Sequence, residues 1–152
     1  MNNKKAKEIM TSNVIVTNKD DTIAEIANLL IQEKIGGLPV VDQDNKVVGI
    51  ISETDIIKKE KHAETPRMIN LLQGIIFIDN VKELEKDLKD ISAYKVEDLM
   101  SKNIVKVHEE DSVDYVANIM IKKSVNRVPV VDQNDVLKGI ICRYDIIKAM
   151  YS

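Results

Sequence analysis

The hydrophobic positions of this 152-residue chain follow a pattern that is written out twice. Residues 7–58 (KEIMTSNVIV…LPVVDQDNKVVGIISETDIIK) lie over residues 97–148 (EDLMSKNIVK…VPVVDQNDVLKGIICRYDIIK) without a gap. Met10 falls on Met100, Pro39 on Pro129, Gly49 on Gly139 and Asp55 on Asp145. Each copy opens with a lead-in ending at Ile9-Met10 or Leu99-Met100. A β-branched run follows, Val14-Ile15-Val16 or Ile104-Val105, and predicts a short strand. Asp21-Thr22 and Asp111-Ser112 then offer helix caps. Behind them Ile23, Ile26, Ala27 and Leu30 fall at i, i+3, i+4, i+7, and Val113, Val116, Ala117 and Met120 repeat that spacing. Each set is the apolar stripe of an amphipathic helix.

The period then changes. Nearly continuous apolar runs at 38–41 and 46–51 flank the polar Asp42-Gln43-Asp44-Asn45, and runs at 128–131 and 136–141 flank Asp132-Gln133-Asn134-Asp135. Such runs around an Asp/Asn turn predict a hairpin covered on both sheet faces. A second helix is predicted over 52–59 and 143–150. The order in each copy is strand, helix, strand, strand, helix, an α/β (α+β) pattern. A unit of about fifty residues closes a poor core alone, so the copies are expected to pack on each other. Two similar clefts are expected where they meet, and function is sought there first.

The boundaries implied are a first domain over 1–60, a connector over 61–95 and a second domain over 96–152. The connector region has a polar part at 59–66, an apolar part at 69–78 (INLLQGIIFI) and an amphipathic helix predicted over 81–92. The apolar part needs a cover, either within the module or at a partner interface.

Composition narrows the function classes. Hydrophobic residues make up 44%, a normal globular share that argues against disorder. Aromatics are only 3%, so the core must be built from Ile, Val and Leu. The net charge of −3 argues against broad nucleic-acid binding, which needs a concentrated basic face. Lys4-Lys5 and Lys58-Lys59-Lys61 are the candidates for such a patch, and no aromatics interleave them. The single Cys142 excludes an internal disulfide and suits a reducing compartment. No apolar run approaches the roughly 18 residues of a membrane span, and the start, MNNKKAKEIM, lacks the apolar stretch of a signal peptide. A soluble cytoplasmic protein is the expectation.

The I-M lead-in, the β-branched run, the amphipathic helix, the φ-P-V-V-D strand and G-I-I-S-x-x-D-I together resemble a tandem pair of CBS domains, a Bateman module. The resemblance covers roughly 7–59 and 97–149. It implies two repeats packed sheet to sheet about a pseudo-two-fold axis, and a homodimer of modules. It implies clefts for adenosine-containing ligands such as AMP, ADP, ATP or S-adenosylmethionine, acting as regulatory ligands and not as fixed cofactors. It implies regulation without catalysis. With no enzyme, channel or transporter attached, the output is expected to pass to a separate effector protein. The alternative is a structural dimerisation module without a physiological ligand.

The resemblance also points to residues. Ser52-Glu53-Thr54-Asp55 opens a helix directly after a strand. A carboxylate there can accept hydrogen bonds from both hydroxyls of a ribose, and free N–H groups at a helix start suit phosphate. Ser-x-x-Asp equally resembles a capping box. The copy-two counterpart is Cys142-Arg143-Tyr144-Asp145, which keeps the aspartate without the capping hydroxyl. In the family the dipeptide before the φ-P-V-V-D strand can face the phosphates held by the other copy's aspartate. That pairs Ser52, Thr54 and Asp55 with Asn126 and Arg127 in a principal cleft. It pairs Cys142, Tyr144 and Asp145 with Gly36 and Gly37 in a weaker one. Arg127 is otherwise a surface cation, and Gly36-Gly37 a helix C-terminal turn. Adenine is expected near Asn103-Ile104-Val105 in the first cleft and Asn13-Val14-Ile15 in the second.

Enzyme signatures are missing from the sequence. His62 and His108 have no partner at metal-ligand spacing, and no phosphate-binding glycine motif occurs. No catalytic or metal residues are therefore assigned. Cys142 reads as a small apolar residue at a strand end. Asp42 and Asp132 read as turn residues, and Glu109-Glu110-Asp111 as a solvated helix start.

Overall fold

The structure, a computed structural model, describes residues 3–61 and 94–152. The apolar segment 69–78, the helix expected over 81–92 and His62 lie outside the described residues. In chain order the elements are α1 (Ala6–Ile9), α2 (Ile23–Glu33), β1 (Gly37–Val41), β2 (Val47–Ser52), α3 (Glu53–Lys61), α4 (Val96–Leu99), β3 (Val107–His108), α5 (Val113–Lys122), β4 (Arg127–Val131), β5 (Leu137–Cys142) and α6 (Arg143–Tyr151). Among them no helix is long and apolar enough to cross a membrane.

The helix starts follow their capping residues. Thr22 Oγ1 accepts from Glu25 N–H at 3.3 Å, and Glu25 returns a carboxylate to Thr22 N–H at 2.9 Å. This reciprocal pair satisfies two donors that the first turn of α2 leaves open. Ser112 caps α5 through its hydroxyl alone, accepting from Tyr115 N–H at 3.2 Å. The predicted stripes face inward: Ile23, Ile26, Ala27 and Leu30 are buried, as are Val113, Val116 and Met120.

Both hairpins turn as their Asp/Asn content dictates. Asp42 Oδ1 accepts from Asp44 N–H at 2.9 Å and Lys46 N–H at 3.0 Å, and Asp132 Oδ1 from Asn134 at 2.8 Å and Val136 at 3.1 Å. Asn45 and Asp135 take the left-handed conformation (φ 59° and 65°), which Asn and Asp tolerate better than most residues.

One predicted element is displaced. Residues 14–16 and 104–105 form no strand. Pairing begins only afterwards, where Thr17 makes a single parallel bridge to Val40 and Val107–His108 pairs in parallel with Val130–Val131. Burial gives the reason. Thr17 and Val107 are 2% and 1% exposed, whereas Val14, Ile15, Ile104 and Val105 are only half-buried. The apolar run marks a half-covered approach, and pairing starts at the buried Thr17 and Val107. The buried Thr17 hydroxyl donates to Asp21 Oδ2 at 2.6 Å, so its burial leaves no unmet donor.

The chain folds as two compact units whose boundaries cut across the repeats. One consists of Met1–Ile15, Val41–Val48 and Asn103–Ser152, the other of Val16–Val40 and Gly49–Lys102. Each unit takes its lead-in helix from the other copy. In the first, Ala6 N–H donates to Asp111 O at 2.8 Å, Val113 N–H to Lys4 O at 3.1 Å, and Thr11 bridges Ile140. In the second, Val96 N–H donates to Asp21 O at 2.9 Å, Ile23 N–H to Tyr94 O at 3.0 Å, and Ser101 bridges Ile50. Methionine and glycine fit the exchange. A Cβ built on Gly49 would lie 2.6 Å from Met100 Sδ, and one on Gly139 would lie 3.0 Å from Met10 Cβ. Neither strand has room for a side chain beneath the thioether that crosses it.

In the first unit β3, β4 and β5 form one sheet, with β3 parallel and β5 antiparallel to β4. Its core joins Ala6, Val107, Val116, Met120, Val128, Val130, Ile141, Ile146 and Ala149. The copy-one hairpin turn also belongs here, through Leu137 N–H donating to Asn45 O at 3.0 Å and Val47 N–H to Asp135 O at 3.2 Å. In the second unit β1 and β2 pair, and Ile51 and Ile56 are buried with the α2 stripe.

Candidate functional site

Each copy presents the first turn of its last helix and the dipeptide before its φ-P-V-V-D strand as neighbours. Glu53 N–H donates to Gly36 O at 3.0 Å, and Arg143 N–H to Asn126 O at 3.2 Å. The strand pairing that places β4 against β5 sets Arg127 opposite Cys142. In α/β folds such strand-to-helix ends are common ligand positions, since unpaired N–H groups gather there.

In copy one Asp55 is half-buried and its Oδ2 accepts from Ser52 N–H at 2.9 Å and Ser52 Oγ at 3.1 Å. Thr54 is exposed on the same turn. In copy two Asp145 is likewise half-buried, and its Oδ2 accepts from Cys142 N–H at 2.7 Å. Both aspartates thus cap their helices through a backbone N–H. The loss of the hydroxyl at Cys142 does not remove that role, because the main donor is the peptide group. Persistence of Asp145 therefore does not by itself separate ligand binding from capping. The two roles are compatible: these bonds use one oxygen of a carboxylate that carries about four acceptor positions.

Arg127 is half-buried, Asn126 and Tyr144 are exposed, and Tyr144 retains 73% of its surface. Burial pushes the Cys142 thiol above its ordinary range, and the adjacent Asp145 pushes it further, while the Arg127 guanidinium draws it back. Cys142 is consequently a protonated, weakly nucleophilic thiol at neutral pH. Gly37 begins a wholly buried strand. The left-handed residue that ends α2 is Lys34 (φ 53°), not a glycine, so the helix C-terminal turn expected of Gly36-Gly37 falls earlier in the chain. Val14, Ile15, Ile104 and Val105 are half-buried and Asn13 and Asn103 exposed, leaving partly open apolar surface on each lead-in.

Two depressions occur away from these residues. One, of about 440 Å³, is lined by Thr17, Asp21, Glu25, Asn28 and Gln32 with neighbouring apolar side chains. The other, of about 490 Å³, is lined by His108, Glu109, Glu110, Asp132 and Gln133 among others. Both carry carboxylates and no Lys or Arg, which disfavours phosphate. Sequence reasoning did not find them, because their lining mixes cap and turn residues that each have a structural explanation. Among the described residues no His/Cys/Asp/Glu group is arranged to hold a metal.

Comparison with known proteins settles the family. The CBS domain model matches twice, over residues 6–62 and 96–152. The chain belongs to the CBS-domain family. Among curated relatives, this tandem CBS chain is 32% identical over 151 residues to the uncharacterized protein MJ1426 of Methanocaldococcus jannaschii, covering 95% of the chain and 89% of that protein. It is 33% identical to the inosine-5'-monophosphate dehydrogenase of the same organism, covering 95% of the chain and only 23% of the enzyme. Among solved structures, the CBS domain pair of protein MJ0100, in complex with 5'-methylthioadenosine and S-adenosyl-L-methionine, aligns with a TM-score of 0.71 at 29% identity, covering 97% of this chain and 96% of that one.

Proposed function

We propose that the chain is a regulatory, ligand-sensing module that binds an adenosine-containing ligand in the cleft between its CBS repeats. AMP, ADP, ATP and S-adenosylmethionine are the candidates. In this reading it works as a homodimer in the cytoplasm, has no catalytic activity of its own, and passes the signal to a separate effector protein. The observation that carries the reading is the similarity, along nearly the whole chain, to a CBS pair solved in complex with 5'-methylthioadenosine and S-adenosyl-L-methionine. Asp55 and Asp145 supply the chemistry such ligands need, since each places a carboxylate at a strand-to-helix end where a ribose diol can donate to it.

The principal site consists of Ser52, Thr54 and Asp55 with Asn126 and Arg127, and of Ile104 and Val105 for the base. The weaker site consists of Cys142, Tyr144 and Asp145 with Gly36, Gly37, Val14 and Ile15. Arg127 provides the phosphate cation. Because Arg127 also stands opposite Cys142 on its own copy's sheet, the pairing is open to a direct test. The second reading, a dimerisation module without a ligand, draws support from the capping bonds of both aspartates, which account for them structurally.

Titration calorimetry with S-adenosylmethionine, AMP, ADP and ATP separates these readings. Asp55→Asn keeps an oxygen for the Ser52 N–H but removes the charge offered to ribose. It is expected to weaken the principal site by about 10–100-fold, the value of hydrogen bonds to a charged group. Asp145→Asn is expected to affect only the weaker site. A double-mutant cycle with Arg127→Ala should couple Arg127 to Asp55; coupling to Asp145 instead would reassign the cation. No binding of any of the four ligands, with no rise in melting temperature, would leave the dimerisation reading standing.

A further inference from the structure

Met10 and Met100 hold equivalent places in the two copies, and each lays its thioether on a strand glycine. A Cβ on Gly139 would meet Met10 Sδ, with Met10 Cγ at 2.7 Å, and one on Gly49 would meet Met100 Sδ at 2.6 Å. The residue after each methionine then closes a two-bond bridge to the residue after the glycine. Thr11 N–H donates to Ile140 O at 2.9 Å and Ile140 N–H to Thr11 O at 3.0 Å. Ser101 N–H donates to Ile50 O at 2.8 Å and Ile50 N–H to Ser101 O at 3.0 Å. Thioether and bridge form one fastening, made once in each unit. Both methionines are half-buried and so within reach of a small reagent, whereas Met120 is 2% exposed in the core and Met150 is 60% exposed.

We propose that Met10 and Met100 are oxidation sites, and that a peroxide, by converting their thioethers to sulfoxides, unfastens the lead-ins. This rests on the ligand-sensing reading above and adds to it a redox control of ligand binding. In the step a sulfur lone pair attacks one peroxide oxygen, an S–O bond forms and the O–O bond breaks. The second oxygen leaves as water with both peroxide protons; the sulfur loses two electrons and the peroxide gains them. The product is a polar acceptor that must find a donor or move to water. At the contact the glycine presents only a C–H, and the N–H groups of Ile140 and Ile50 are already donated to the bridges. At Gly49 the Ser101 carbonyl, 3.1 Å from the Cβ position, is a further acceptor that repels the new oxygen. The sulfoxide therefore lifts from the glycine, and the bridge beside it opens. Four and five residues further along the chain stand Val14-Ile15 and Ile104-Val105, assigned above to the adenine. Loosening the lead-ins thus disorders the surface on which the base would rest.

Treatment of the full chain with hydrogen peroxide, followed by its removal, tests this. Peptide mass spectrometry is expected to find Met150 oxidised first, Met10 and Met100 next and Met120 last. The melting temperature is expected to fall by on the order of 5 °C as Met10 and Met100 react, since each leaves a polar group poorly satisfied. Affinity for S-adenosylmethionine or AMP in titration calorimetry is expected to fall by about 10-fold. Methionine sulfoxide reductases should restore both. Leucine fills nearly the same space without a reactive sulfur, so Met10→Leu with Met100→Leu should keep both properties under the same treatment. If that pair does not fold, Met10→Leu alone should lose about half of the shift. An oxidised wild type with an unchanged melting temperature, or a leucine variant that loses as much as the wild type, overturns the proposal. A reversible melting shift confined to Met10 and Met100, with no ligand bound before or after oxidation, supports the fastening and overturns the ligand-sensing reading instead.

Discussion

Copy one enters its last helix through Ser52-Glu53-Thr54-Asp55, and copy two through Cys142-Arg143-Tyr144-Asp145. The aspartate makes the same bond in both, to the backbone N–H three residues earlier, at 2.9 and 2.7 Å. The hydroxyl bond from Ser52 exists only in copy one. What the copies share is therefore what the helix start needs. What differs is free to serve something else: small hydroxyls in copy one, an aromatic and a cation in copy two. The hairpin turns differ in the same sense. Lys138 lies 3.5 Å from Asp132, and Lys106 lies 2.7 Å from Asp135, whereas copy one has Val48 and Val16 in place of these lysines. One backbone plan carries two different charge distributions.

The comparison breaks first if the two cores are unequal. Ile51 and Ile141 are equivalent and both 0% exposed. Truncating either to alanine is expected to cost about 2–5 kcal/mol in chemical denaturation, since transfer and cavity terms add. A loss below about 1 kcal/mol at one of them would show that its unit is not part of the cooperative transition.

A smaller effect is expected where lead-ins cross strands. Gly49→Val and Gly139→Val should each cost about 1–3 kcal/mol through overpacking. They should differ in how they are rescued. At Gly139 the nearest atoms all belong to Met10, so Met10→Ala should recover much of the loss. At Gly49 the Ser101 carbonyl would also stand 3.1 Å from an added Cβ, so Met100→Ala should recover less. Equal rescue in thermal denaturation would contradict the backbone contact.

The smallest effect concerns the turns. Hydrogen bonding from the Asn134 N–H, joined by that of Val136 and by Lys138, holds the Asp132 carboxyl below its ordinary range. A group whose folded pKa is depressed contributes stability above its unfolded pKa, near 4, and loses it as pH falls through the folded value. Asp132→Asn should therefore lower the melting temperature slightly at neutral pH and progressively less on acidification below pH 4. A difference independent of pH would mean that turn geometry alone, and not charge, sets the effect.

Much of the fold was legible in the sequence. The stripes on α2 and α5, the Thr22 and Ser112 caps and the Asp42 and Asp132 turns rest on side-chain patterns of local range, and they stand where the pattern placed them. The short first strand was misplaced by up to three residues, because β-branched composition marks apolar surface and cannot tell a half-covered approach from a paired strand. At the candidate site, Ser52 and Asp55 were legible as a capping box or a ribose anchor. The structure makes the first real without excluding the second. The contact between each dipeptide carbonyl and the following helix was not legible, since a peptide group leaves no mark on residue identity.

By itself the sequence determined that the chain is an ungapped tandem repeat, that each copy alternates helix and hairpin, and that the copies diverge at the starts of their last helices and in the dipeptides before their φ-P-V-V-D strands. These follow from periodicity and local chemistry, which act over a few residues. Only the tertiary structure decided that each lead-in docks on the other copy, that Met10 and Met100 cover Gly139 and Gly49, and that a backbone N–H, not a hydroxyl, is the bond both aspartates share. Those choices are made between residues far apart in the chain or through main-chain groups common to every residue, and neither kind of interaction is written in the order of side chains.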